Sequence, residues 1–526
     1  MTDPIDRPIV ATRSGLVEGT ASGVDGVAVF RGIPYGADTG GDNRWRPPRP
    51  APPWTGVRVC DAFGDACVQN RGPVTPPGLV MSEDCLSVNV WTPVPVPDAG
   101  LPAVDGGLPV LVWIYGGRFI WGAGSDSSFD GAAMAARGIV VVTLNYRLGV
   151  FGWLATPELS AEAAREGRTG SGNYGLMDQI AALRWVQENI AAFGGDPERV
   201  TIAGQSAGAA SVMALVASPE TDGLFHGAIA ESGALHPADP GLAYLAAAYR
   251  RLPDAEREGL EYQAAHGARS IAEMRALPAE TLLVGNDATE GGAPMPAPPL
   301  FRPVLDGGIF ARTYAETLAV GALKDVPVIT GTNRDEDGAS PQPRITLAQF
   351  REHATREYGA HAEEFLALYP AANDAEAGAQ ANQAARDHAR TSTFLWASLR
   401  AQHASTPAYT YFWTHAAPGP DADTRGAFHG SEIWYFLDSL DRTDRPWTAD
   451  DRRIAAEAGG YVARFVRTGD PNGDGAARWE PVGAGGAAGA GTPVTMELGD
   501  GLGPIPVADP ARFAFHRRVL ESRPVR

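Results

Sequence analysis

The chain has 526 residues, with 43 Lys and Arg against 62 Asp and Glu, and a formal net charge of −19 at pH 7. That balance excludes nucleic acid and anionic membrane surfaces as partners, because both are polyanions that would repel the chain. No apolar run reaches the roughly 18 residues of a transmembrane helix. Met1 to Pro8 carries neither the basic nor the apolar region of a secretory signal, so a cytoplasmic chain is expected.

The first informative element is Val110-Leu111-Val112-Trp113-Ile114-Tyr115, an apolar, β-prone run that ends in Gly116-Gly117-Arg118-Phe119. A Gly-rich loop after an early strand can aim backbone N–H groups at a developing negative charge. Next comes Val200-Thr201-Ile202-Ala203, which reads as a buried strand of a parallel sheet. It runs directly into Gly204-Gln205-Ser206-Ala207-Gly208, and Ala209 to Leu215 behind it suit a helix. A glycine two residues either side of the serine removes the Cβ atoms that would clash in so tight a turn. The pattern predicts the nucleophile elbow of an α/β-hydrolase, with Ser206 exposed at the carboxyl edge of the sheet and the Ala207 N–H as an oxyanion donor.

A serine hydroxyl is too weakly acidic to attack an ester unaided, so a base and an orienting acid must follow. In this fold they come in the order acid, then histidine, each after a later strand. Ala228-Ile229-Ala230-Glu231 reads as one strand and ends at Ser232. Val326 to Asn333 reads as another, followed at once by Arg334-Asp335-Glu336-Asp337-Gly338. Tyr409 to Thr414 is a third, and beyond it lie His415 and the stretch Gly426-Ala427-Phe428-His429-Gly430-Ser431-Glu432. Residue types alone leave Asp335, Glu336 and Asp337 open as the acid, and His415 and His429 open as the base. Length would allow about three or four ordinary domains, but no linker is evident and the distant residues must meet in one site. The expectation is a single domain spanning 1–526, with Ala-, Glu- and Arg-rich helical cap insertions near 236–290 and 345–405 around an active-site gorge. Gly483 to Gly491 is a small low-complexity loop. No cysteine or histidine spacing suits zinc, and Asp470 to Gly475 begins like a calcium loop but meets Pro481 where a bidentate glutamate is needed. No metal or cofactor is expected.

Four further stretches carry a resemblance: Phe30-Arg31-Gly32-Ile33-Pro34-Tyr35, Ser82-Glu83-Asp84-Cys85-Leu86-Ser87-Val88-Asn89-Val90-Trp91, Asn145 to Gly152, and Asn173 to Gln179. With the serine, acid and histidine runs in the same order, the chain resembles the type-B carboxylesterase family. That group includes bacterial para-nitrobenzyl esterases, animal carboxylesterases and cholinesterases. The resemblance implies Glu336 as the acid, His429 as the base, and an oxyanion hole built from the amides of Gly117, Arg118 and Ala207. It also implies a candidate disulfide between Cys67 and Cys85, which a reducing compartment would oppose. Of the three cysteines, Cys60 is left over and expected to be buried.

Two departures narrow the substrate. Arg118 stands where relatives carry glycine or alanine, so its side chain either pairs with a surface carboxylate or lines the gorge and holds an acidic group of the substrate. Gln205 stands where choline-ester hydrolases of the family place a glutamate, and no aromatic residue lies between Cys67 and Cys85, which argues against a quaternary ammonium site. Tyr115, Phe119 and Trp121 either wall an apolar pocket or pack beneath the oxyanion loop. The resemblance implies a serine carboxylesterase acting with water on small uncharged aryl or short- to medium-chain acyl esters through an acyl-enzyme. The alternatives are an amide, carbamate, lactone or specialised natural-product ester on the same triad, or a non-catalytic binding protein of the same fold. Neither a nucleic-acid nor a membrane partner is expected, and the oligomeric state is left open between a monomer and a small homo-oligomer.

Overall fold

A computed structural model of the protein describes residues 7–72, 75–76, 78–93, 106–244, 248–292, 297–336, 338–483 and 492–525. Asp337, the Gly-Ala run 484–491 and residues 1–6 lie outside the described residues.

An eleven-stranded sheet forms the frame: β1 Thr20–Ala21, β2 Val27–Pro34, β3 Ser87–Pro93, β4 Leu108–Ile114, β5 Val140–Leu144, β6 Gly195–Gln205, β7 Gly227–Glu231, β8 Val328–Asn333, β9 Ala408–Trp413, β10 Val494–Leu498 and β11 Gly503–Pro506. Their spatial order is β11-β10-β9-β8-β7-β6-β4-β5-β3-β2-β1. The strands from β5 to β10 are parallel, whereas β11 at one edge and β1 to β3 at the other pair antiparallel. Strands covered on both faces read as continuous apolar runs rather than alternating ones. Val110, Leu111, Val112, Trp113 and Ile114 of β4 are all essentially unexposed, as are Val200 and Ile202 of β6. Burying each such side chain contributes roughly 1.5–3 kcal/mol.

Helices α1 Tyr174–Asn189, α2 Ala207–Ala217, α3 Leu252–Ala265, α4 Leu347–Tyr358, α5 Asp374–Arg400, α6 Ile433–Phe436, α7 Ala449–Thr468 and α8 Pro510–Ser522 carry most of the flanking layers. Of the two segments expected to hold cap helices, the first contains α3 and the second α4 and α5. Yet α5 also packs on β8 and β9, and a separate small core joins Phe350, Phe365 and Tyr369 to Phe515 of α8. Two motif residues have structural work. Arg147 grips the fully buried Asp178 through Nε at 2.8 Å and Nη2 at 2.7 Å, and Arg44 grips Glu83 through Nε and Nη2 at 2.6 Å each. Pairs removed from water need this two-pronged geometry to offset the cost of desolvation. No helix among the described residues is long and apolar enough to cross a membrane.

The register brings chemistry to one edge. Gly204 pairs with Ile114, Gln205 with Glu231, Glu231 with Gly331, and Asn333 with Trp413. The carboxyl ends of β4, β6, β7, β8 and β9 therefore line up, where open α/β sheets bind their ligands.

Candidate active site

At the end of β6 the chain reverses into α2 through Ser206, whose φ of 59° and ψ of −124° place it in a sparsely populated region for a residue with a Cβ. Such a conformation costs of order 1–3 kcal/mol and persists only where the surroundings enforce it. Here the Ser206 N–H donates to the Glu231 carbonyl at 3.0 Å. A Cβ on Gly204 would lie 2.6 Å from the Ile114 carbonyl oxygen, and one on Gly208 would meet the same atom. Both glycines are thus required by close backbone approach. Ser206 itself is half-buried, and Ala207 opens α2, where the N–H has no intrahelical acceptor.

Opposite the elbow lies the Gly-rich loop. A Cβ on Gly116 would sit 3.2 Å from the Ser206 Cβ and closer still to the Gln205 carbonyl. Gly117, Arg118 and Phe119 follow with φ of 100°, 58° and 64°. Six non-glycine residues among those described have left-handed φ, and four of them, Arg118, Phe119, Ser206 and Ser232, belong to this site. The Arg118 guanidinium donates through Nη2 to the Ala297 carbonyl at 2.5 Å. One partner of this side chain is therefore a backbone carbonyl.

Glu336 follows β8. Its Oε1 accepts from the Ser232 hydroxyl and from the Asn333 N–H, both at 2.6 Å, and its Oε2 lies 3.3 Å from Nδ1 of His429. The carboxylate is largely buried while the imidazole is 45 % exposed. A separation of 3.3 Å is long for a charge-assisted bond, as is common before substrate closes a site. The other imidazole nitrogen, Nε2, lies 3.2 Å from the Gln205 side-chain amide, so the ring reaches the residue immediately before Ser206. With the proton on Nδ1, Nε2 keeps its lone pair on the serine side.

The neighbouring acid and histidine are engaged elsewhere. Asp335 Oδ1 pairs with Arg386 at 2.5 Å, and its Oδ2 accepts from Arg334 and from the Ala427 N–H. The Asp335 N–H in turn donates to the Ala427 carbonyl at 3.0 Å, so this residue stitches the histidine loop to the acid loop. Both nitrogens of His415 are occupied, Nδ1 by Asp500 at 2.7 Å and Nε2 by Asp451 at 2.9 Å.

One expectation is overturned, and one open choice is resolved for two residues. Cys67 and Cys85 are free, buried thiols rather than a disulfide, and Cys60 is buried and free as well. The hydrogen bond with Cys67, with burial adding to it, holds the Cys85 thiol well above its ordinary range. Tyr115 is packed away, stacked on Tyr146 at 4.6 Å, and Phe119 is packed edge-on against Trp153 at 5.2 Å. Both support the loop from beneath instead of walling a pocket. Trp121 is half-buried against Gly72, whose Cβ would lie 3.2 Å from the indole. Sequence reading singled out neither Asn333 nor Glu432. Asn333 donates through Nδ2 to the Phe428 carbonyl at 2.7 Å and also to Glu432 Oε2. Their signal was position alone: each lies three residues from a proposed triad member.

A parallel sheet whose carboxyl edge presents a serine elbow beside a carboxylate–imidazole pair defines the α/β-hydrolase class. The Carboxylesterase family model matches residues 6–490, and the chain belongs to that family. It is 37% identical over 432 residues to fumonisin B1 esterase of Sphingopyxis macrogoltabida, covering 82% of this chain and 74% of that protein. It is 33% identical to para-nitrobenzyl esterase of Bacillus subtilis (strain 168), covering 88% of this chain and 90% of that protein. A solved structure of PNB esterase superposes with a TM-score of 0.74 at 30% identity, covering 98% of this chain and all of that one. The chain is a serine carboxylesterase, a carboxylic ester hydrolase of this family.

Proposed function

We propose that Ser206 is the nucleophile, His429 the general base and Glu336 the acid that orients it, in a two-step acyl transfer on small uncharged aryl or short- to medium-chain acyl esters. The observation that carries the reading is the continuous line from Glu336 through His429 to the elbow residue next to Ser206. His429 takes the hydroxyl proton as Ser206 attacks the carbonyl carbon, and Glu336 stabilises the imidazolium. The amides of Gly117, Arg118 and Ala207 receive the oxyanion; losing one such donor typically costs about 10²–10³ in rate. The alcohol leaves with the proton from His429, and water then enters by the same route to release the acid.

In this reading the helices near 236–290 and 345–405 form a cap on one catalytic domain. Free Cys67 and Cys85 fit a reducing compartment, and the cytoplasm is the proposed location. Trp121 is the remaining aromatic candidate for the substrate wall. Amide, carbamate and lactone hydrolysis are separated by turnover on paired ester and amide substrates.

The test is labelling by a fluorophosphonate followed by peptide mapping. One equivalent on Ser206, abolished in Ser206→Ala with unchanged circular dichroism, is expected. Label on another residue, or full esterase turnover by Ser206→Ala, overturns the assignment.

A further inference from the structure

Behind the Glu336–His429 pair lie two carboxyl groups that the proposed mechanism leaves idle. Glu231 closes β7 and Glu432 caps α6, and both side chains are buried, at 1 % and 0 % exposure. Each is tied to the site through its neighbours. The Glu231 carbonyl accepts from the Ser206 N–H, and the next residue, Ser232, donates its hydroxyl to Glu336. Glu432 accepts from Asn333, whose own N–H donates to Glu336.

Several buried polar atoms in this cluster have no hydrogen-bond partner among the described residues, the Tyr411 hydroxyl and Asn333 Oδ1 included. Glu231 Oε2 and Glu432 Oε1 are both buried with no donor among the described residues. A buried carboxylate oxygen without a donor costs several kcal/mol, and two interacting carboxylates cannot both ionise cheaply in a dry interior. The titratable groups facing the pair are Glu336, His429 and Tyr411. Gly331, which pairs with Tyr411, has no Cβ, and the Tyr411 ring occupies that space. Burial, followed by the charges of Glu432, Glu231 and Glu336, holds the Tyr411 phenol well above its ordinary range, so it stays a neutral O–H. The two acids differ. Burial and the charge of Glu336 push Glu432 up to about 7, with the Asn333 amide and His429 acting in the opposite direction, whereas burial and the charge of Glu432 hold Glu231 well above the carboxylate range, both acting upward.

We propose that Glu231 and Glu432 form a buried pair that retains one proton, resting on Glu231, and that the remaining charge on Glu432 acts through Glu336 and Asn333 as a positioning device for the base His429. The proton fills the missing donor. The charge adds to that of Glu336 in favouring the imidazolium that forms as Ser206 attacks. This assignment rests on the Ser206–His429–Glu336 reading for its catalytic consequence, although the protonation itself does not.

Infrared difference spectroscopy against Glu231→Gln tests the proton, and pH–rate profiles on a p-nitrophenyl ester test the positioning. At about pH 8, where ordinary carboxyl groups are ionised, the wild type should show a protonated-carboxyl stretch that Glu231→Gln lacks. Glu432→Gln should move the acid limb of kcat/KM to lower pH by about half a unit or more, because a negative charge favouring His⁺ is gone. Glu231→Gln should leave that limb in place. A packing defect alone would lower kcat without moving the limb. Absence of the band in wild type, its survival in Glu231→Gln, or an unmoved limb in Glu432→Gln overturns the proposal. Should the variants not fold, the wild-type spectrum titrated across pH decides the protonation by itself. Failure of the fluorophosphonate to label Ser206 would instead sink the triad reading and leave the infrared result standing.

Discussion

Two histidines follow β9, and the folded chain uses them in opposite ways. His415 is clamped at both nitrogens by Asp500 and Asp451, and it belongs to a junction that also holds Tyr435 and the first turn of α7. His429 meets Glu336 through Nδ1, is nearly half exposed, and turns Nε2 toward the Gln205 amide at the elbow. A ring with both nitrogens engaged by aspartates has none left to accept a proton. A ring oriented by a carboxylate at Nδ1, with Nε2 beside the elbow, can accept one there. The same contrast separates Asp335, locked between Arg386, Arg334 and the Ala427 amide, from Glu336, which faces the imidazole.

The sharpest way to break this comparison is to exchange the roles. His429→Gln should lower kcat by about 10⁴-fold or more, as losing a triad base does elsewhere. His415→Gln should leave kcat within a few fold, and a large loss there would reverse the assignment. At the acid, Glu336→Gln should cost about 10²–10⁴ in kcat by leaving the imidazole without its anionic partner. Asp335→Asn should spare the chemistry but lower stability by about 2 kcal/mol, because it weakens a charge-assisted bond to Arg386. Denaturant midpoints alongside steady-state kinetics distinguish the two.

A third prediction concerns pH. Burial opposes the charge on His415, but the hydrogen bonds it donates to Asp500 and Asp451, with their charges, outweigh it and raise its pKa above the ordinary value. Its stabilising contribution is therefore complete below about pH 6.5 and is lost as pH rises through the higher folded-state value. Thermal midpoints should fall over that alkaline-going window in the wild type, and His415→Gln should flatten the dependence. A fall of equal size in the variant would place its origin elsewhere.

The smallest effect is expected at Arg118. With its guanidinium on the Ala297 carbonyl, Arg118→Ala should change kcat/KM for a neutral ester and for a dicarboxylic monoester by similar factors. A selective loss on the monoester would show that the arginine reads an acidic group of the substrate.

How much of this was legible beforehand differs by residue. The elbow was, because Gly204 and Gly208 are dictated by local crowding and flank Ser206 within five residues. The strands at 110–115, 200–203 and 326–333 were, because burial on both faces writes itself as unbroken apolar runs. Residue types could not choose between Asp335 and Glu336, or between His415 and His429. Those choices depend on which side of a loop each side chain leaves and on which partner, Arg386 or Ser232, Asp451 or Gln205, waits there. The disulfide expectation failed for a related reason. The family resemblance pairs Cys67 with Cys85, but whether the two sulfurs bond depends on geometry and oxidant.

Sequence by itself determined the sheet, the elbow and the net negative charge, since each follows from local sterics, periodicity or composition. Tertiary structure alone decided which carboxylate meets which imidazole, that Tyr115 and Phe119 face inward, and that Glu231 and Glu432 are both buried. Those are contacts between residues far apart in the chain, set by strand register and loop packing, and no local pattern encodes them.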